Sequence, residues 1–69
     1  MKISARNQLP GKIVDVRKGA TTAHIRIETA SGLVITASIT NEAVEELGLK
    51  PGMAAHAIIK ASDVMVAVA

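Results

Sequence analysis

Apolar and polar residues alternate with a period of two over most of the chain, the spacing of half-buried strands rather than of helices. The pattern is cleanest over residues 21–29, where Ala23, Ile25 and Ile27 point one way and Thr22, His24, Arg26 and Glu28 the other. Ala30-Ser31-Gly32 then supplies turn residues, so the next segment is predicted to pair back as a hairpin. Over residues 33–40, Leu33, Ile35, Ala37 and Ile39 are expected to face inward, with Val34, Thr36, Ser38 and Thr40 facing outward. Two further segments alternate. Residues 9–18 place Ile13, Asp15 and Arg17 on one face and Val14 and Val16 on the other. Residues 53–61 set Ala55, Ala57 and Ile59 against His56, Ile58 and Lys60.

The alternation breaks after Thr40, where a short helix is predicted. Thr40 is a natural N-cap, and Glu42 sits in the first turn, where the helix dipole favours an acid. Val44 and Leu47, three residues apart, offer a brief apolar contact. Gly48 suits the left-handed position that ends a helix, Leu49 the contact after it, and Pro51 blocks continuation. Beyond Ser62-Asp63, residues 64–69 are apolar at nearly every position and would be aggregation-prone if left exposed. They are expected to be buried on both faces, inside a barrel or between subunits. Together these elements predict an all-β domain spanning residues 1–69, a five-stranded, partly open OB-like barrel with one short helix. Gly11 and Gly19 are expected where strands bend or bulge.

Composition sharpens this picture in two ways. The chain has 69 residues, 49% of them hydrophobic, but no Phe, Tyr or Trp and no Cys. So small a core normally needs disulfides, a metal or partner chains, and without cysteine self-association is the favoured device. The missing aromatics also argue against the usual work of an OB barrel, since single-stranded nucleic acids are held by stacking bases on aromatic rings. The formal net charge of +2 is spread along the sequence and mildly favours anions without forming a nucleic-acid patch. No apolar run approaches signal-peptide length or the roughly 20 residues of a membrane helix. A cytoplasmic protein is expected.

No residues group as an enzyme would require: there is no nucleophile with a base, no carboxylate pair and no metal cluster. His24 and His56 lack acidic neighbours at a metal-binding spacing and read as polar residues on outer strand faces. Glu42, Glu45 and Glu46 read as a solvated helix face. Oxyanion binding is better supplied. Ser4-Ala5-Arg6-Asn7 gathers a hydroxyl, a guanidinium and an amide, Thr40 opens a helix with free N–H groups, and Lys60-Ala61-Ser62 adds an ammonium and a hydroxyl. Each cluster also has an ordinary reading: Arg6 and Lys60 as surface charges, Thr40 as a cap.

These clusters carry a family resemblance. Ser4-Ala5-Arg6-Asn7-Gln8-Leu9 with Gly11-Lys12, Ile39-Thr40, Leu47-Gly48-Leu49 with Pro51-Gly52, and Ile59-Lys60-Ala61-Ser62-Asp63-Val64 follow one another as in the molbindins. The chain thus resembles, over essentially its whole length, the single-domain Mop proteins of the TOBE class. These are related to the molybdate-binding domains of molybdate-responsive repressors and import ATPases. The resemblance implies an OB-like barrel with a strand exchanged between two chains, and dimers assembled into a hexamer. It implies molybdate or tungstate bound at subunit interfaces for intracellular storage or homeostasis, with no cofactor and no directly ligated metal cation. Carried over by position, the interface site would use Ser4, Arg6, Thr40, Lys60 and Ser62, completed by main-chain N–H groups near Ala5, Ala43 and Ala61. Several relatives have serine where this chain has Ala43, so a contact there falls to the main chain. A second class of site is implied near a three-fold axis, for which Lys18, Gly19, Ala20, Thr21 and Thr22 could offer donors; a plain hairpin turn is the alternative. The competing functional reading is an anion-sensing module that acts through a partner protein.

Overall fold

The computed structural model describes residues 1–69. Four strands form one antiparallel sheet: β1 (Asn7–Lys18), β2 (Thr22–Thr29), β3 (Val34–Thr40) and β4 (Ala54–Ile59), in the order β3-β2-β1-β4. A helix, α1 (Asn41–Leu47), links β3 to β4, and a single 3₁₀ turn (Ala61–Asp63) follows β4. The sheet curls into a half-barrel whose concave face holds Ile13, Ala23, Ile25, Ile27 and Ala57, with Val44 of α1 packed against them. Leu9, Val16, Ile35, Ala37, Ile39, Leu49 and Ala55 flank this core. No helix is long and apolar enough to cross a membrane.

Strand phases in β2, β3 and β4 follow the predicted alternation, with three corrections elsewhere. In β1, Ile13 pairs with Ile27 but Asp15 pairs with Arg26, so Val14 is an extra residue opposite no partner on β2. This bulge resets the phase, and Val16 rather than Asp15 packs against the core. Leu33 lies in the turn before β3 and is exposed, because Thr29 N–H donates to the Leu33 carbonyl at 2.8 Å and ends the hairpin there. Leu47 is 63% exposed although Val44 is buried, since a helix of only seven residues presents one narrow stripe to the sheet.

The curl depends on Gly11. It lies on β1 between Thr29 of β2 and Ala55 of β4, and a Cβ there would sit 2.5 Å from the Glu28 carbonyl oxygen. Gly19 is also confined, but by the Thr22 carbonyl of its own turn rather than in a strand bend. The helix ends as the sequence predicts: Gly48 has φ 64°, and Leu49 N–H donates to the Val44 carbonyl.

The fifth strand is not formed within the chain. Residues 64–69 make no ladder, and Met65, Val66 and Val68 are 92%, 89% and 92% exposed. β3 and β4 are the two free edges of the sheet, and the tail, which leaves β4 through the 3₁₀ turn, pairs with neither. The concave face consequently opens into an apolar groove of about 710 Å³, rimmed by Ile35, Leu47, Met53, Ile58 and Ile59. A compact monomer of this mass would expose about 4,100 Å². The chain exposes 5351 Å².

Candidate functional site

The ladder between β1 and β4 ends at the pair Asn7–Ile59. Just beyond, the chain segments separate and border a shallow cleft of about 510 Å³, lined by Ile3, Ser4, Ala5, Arg6, Lys60, Ala61 and Ser62. Two of the three clusters singled out in the sequence therefore meet in one place, although 53 positions separate Asn7 from Lys60. They meet because antiparallel pairing brings the start of β1 beside the end of β4.

The cleft is a set of donors. Its lining contains two cationic side chains and two hydroxyls but no carboxylate. The chain's two ion pairs are Arg17 with Asp15 at 3.7 Å and Lys18 with Glu45 at 3.4 Å, which leaves Arg6 and Lys60 without acidic partners. The Ser4 and Ser62 hydroxyls make no hydrogen bond within the chain. Lys60 is the residue from which the 3₁₀ turn starts, and its ammonium makes no hydrogen bond or ion pair within the chain. Asn7 is different. Its amide, which the sequence grouped with the donors, gives its hydrogen bond to the Ile59 carbonyl at 3.1 Å.

Thr40 and Ala43 lie elsewhere. Thr40 pairs with Thr22 next to the far end of β1, where Lys18 pairs with Ala23. Since β1 has 12 residues, these positions are on the order of 30 Å from the cleft. Thr40 Oγ1 accepts the Ala43 N–H at 3.0 Å, which caps α1 and occupies the main-chain donor expected at Ala43. The Thr40 hydroxyl proton remains free to be donated.

The turn of Lys18, Gly19, Ala20, Thr21 and Thr22 lies beside Thr40 and is largely engaged by its own surroundings. Gly19 N–H donates to the Thr22 carbonyl at 2.7 Å, and the Asn41 side-chain amide donates to the Gly19 carbonyl at 2.9 Å. Lys18 is paired with Glu45. The Thr21 and Thr22 hydroxyls are exposed and carry no hydrogen bond within the chain. The histidines do not converge: His24 sits opposite Arg17 and Ser38, and His56 opposite Pro10. No group of three or more His, Cys, Asp or Glu side chains could hold a metal ion.

Comparison with known proteins adds four findings. The family model for the TOBE domain matches residues 3–66. The chain is 52% identical over 66 residues to molybdenum-pterin-binding protein 1 of Clostridium pasteurianum, covering 96% of this chain and 97% of that one. Among solved structures, MopII from Clostridium pasteurianum superposes with a TM-score of 0.92 at 48% identity, covering 97% of this chain and all of that one. A molybdate-binding protein from Sporomusa ovata superposes with a TM-score of 0.92 at 35% identity, covering 99% of this chain and all of that one.

Proposed function

The chain belongs to the TOBE-domain family, in its short Mop branch, and from that premise we propose that it binds molybdate at subunit interfaces, for intracellular storage or homeostasis, and catalyses no reaction. The observation that carries this reading is the cleft of Ser4, Ala5, Arg6, Lys60, Ala61 and Ser62, in which two unpaired cations and two free hydroxyls face one another without a carboxylate. Molybdate at neutral pH is a tetrahedral dianion whose four oxygens all accept hydrogen bonds. Arg6 and Lys60 match its double charge, so burying it need not leave that charge uncompensated. A micromolar dissociation constant corresponds to about 8 kcal/mol. Hydrogen bonds to a charged group contribute about 1.5–3 kcal/mol each. Several donors must act together, and the cleft provides them on one wall.

The opposite wall comes from a second chain. Thr40 lies too far from Arg6 and Lys60 to share a guest with them in one subunit, but in a two-fold dimer the Thr40 end of one protomer can face the cleft of its partner. Surface supports the same assembly. The open apolar groove and the exposed residues 64–69 have complementary needs, and the area in excess of a compact monomer is larger than the roughly 800 Å² per subunit of a standard interface. We assign residues 64–69 as the exchanged strand, three such dimers as the complete assembly, and the cytoplasm as its place. In this reading the whole chain acts as one Mop domain.

Sulfate has molybdate's charge and shape but is smaller, whereas tungstate is nearly molybdate's size. Titration calorimetry with the three anions tests the proposal: comparable tight binding of molybdate and tungstate with much weaker binding of sulfate is expected. Failure to take up either larger anion would overturn it. Native mass spectrometry of the same samples counts subunits and bound anions together.

A further inference from the structure

Two side-chain amides stand directly behind the cleft without lining it. Asn7 Nδ2 donates to the Ile59 carbonyl at 3.1 Å, and Gln8 Nε2 donates to the Ala5 carbonyl at 3.2 Å. A peptide group is planar, so holding a carbonyl also fixes the N–H of the next residue and the direction in which that residue leaves. The residue after Ile59 is Lys60, and the residue after Ala5 is Arg6. Each amide therefore fixes the plane from which one of the two unpaired cations departs.

Their location makes this more than general bracing. Asn7–Ile59 is the last pair of the β1–β4 ladder, and beyond it main-chain pairing no longer holds the segments at a set distance. The Asn7 side chain adds a bond at that point of release. Gln8, near the start of β1, reaches back three residues to the Ala5 carbonyl and so closes a loop over the Ala5–Arg6 peptide, just before the sheet begins. The chain makes six hydrogen bonds through side chains, and two of them are spent here, one on each bank of the same cleft.

We infer that Asn7 and Gln8 are positioning residues of the oxyanion site: they hold the stems of Lys60 and Arg6 at a fixed separation and so set the width that distinguishes a larger tetrahedral dianion from a smaller one. The inference rests on the cleft being the molybdate site. With both peptide planes fixed, the cations meet an ion of one size; with either released, the cleft relaxes around ions of several sizes and favours none.

The test uses Asn7→Leu and Gln8→Met, which remove the donor, keep similar bulk and add no charge. Both are made in the full chain and compared with the parent for molybdate affinity, for displacement of bound molybdate by sulfate, and for melting temperature. Each variant should bind molybdate about fivefold more weakly, the size expected for one neutral hydrogen bond. The sulfate concentration that displaces half the molybdate should fall by a similar factor. Gln8 is exposed, so Gln8→Met should melt with the parent. A merely structural role would weaken both anions together and leave the half-displacing concentration unchanged, which overturns the inference, as does unchanged molybdate affinity. If Asn7→Leu does not fold, Gln8→Met alone decides. A parent protein that binds no molybdate overturns both this inference and the site it rests on, whereas a binding parent with indifferent variants overturns the positioning role alone.

Discussion

Thr40 Oγ1 accepts the Ala43 N–H at 3.0 Å, and by doing so keeps its own hydroxyl proton available to a guest. One oxygen can serve both as a helix cap and as an anion donor, and substitutions separate the two roles. Thr40→Ser retains both and should behave like the parent. Thr40→Ala loses both, with a stability cost of about 1 kcal/mol. Thr40→Asp is the informative change. Aspartate caps helices as well as threonine does, but it brings a negative charge and no proton. Melting should be preserved and molybdate binding abolished, as read by thermal denaturation and calorimetry on the same preparation. Retained affinity in Thr40→Asp would remove Thr40 from the site.

Lys60→Ala should weaken molybdate binding by about ten- to a hundredfold, the loss expected for one charged hydrogen bond. Its combination with Thr40→Ala tests whether the site is shared between chains. When the two variants are unfolded together and refolded, half of the resulting dimers pair one of each. Such a dimer has one site with both residues intact and one with neither. Tight binding should return at about a quarter of the parental sites, given two-fold symmetry. A site built within one chain would recover nothing on mixing.

Gly11→Ala tests the curl that separates the two ends of β1. Its new Cβ would press on the Glu28 carbonyl and the Ile27 side chain, at 2.5 and 2.9 Å, from a strand held on both sides. Neither neighbour can retreat without shifting the core, so a loss of about 1–3 kcal/mol is expected. Urea denaturation at fixed protein concentration measures it, and a parental midpoint would show that the sheet tolerates the added carbon.

How much of this was legible in the sequence depended on whether the controlling contact was local. The alternation of Ala23, Ile25 and Ile27, the Thr40 cap and the Gly48 ending are set within a few residues and follow the predicted pattern. The bulge at Val14 could not be read, because Val-Asp-Val-Arg alternates equally well with or without an extra residue. Ser4, Arg6, Lys60 and Ser62 were recognisable as donors, and pairing of β1 with β4 brings them to one cleft. The role of Asn7 was hidden: an amide among donors looks like another ligand until its hydrogen bond to Ile59 is seen. Thr40's distance from the cleft was equally invisible, since separation along a sequence says nothing about which end of a strand a residue reaches.

The tail offers the strongest test of assembly. Residues 64–69 carry four large apolar side chains, three of them about nine-tenths exposed, and full burial of such a side chain is favourable by about 1.5–3 kcal/mol. Ordering each residue costs about 1–2 kcal/mol, so the tail gains by docking only when most of these side chains are covered at once. Alternate residues of a strand face opposite ways, and a tail buried on both faces should therefore tolerate a charge on neither. Met65→Asp and Val66→Asp should each shift the protein towards the monomer in native mass spectrometry and weaken molybdate binding, because in the proposed assembly Thr40 reaches the site from the partner and would leave with it. Tolerance at one position and dissociation at the other would mean the exchanged strand has a solvent-facing side. Undisturbed assembly in both variants would place the subunit contacts elsewhere on the half-barrel, with the groove filled by something other than this tail.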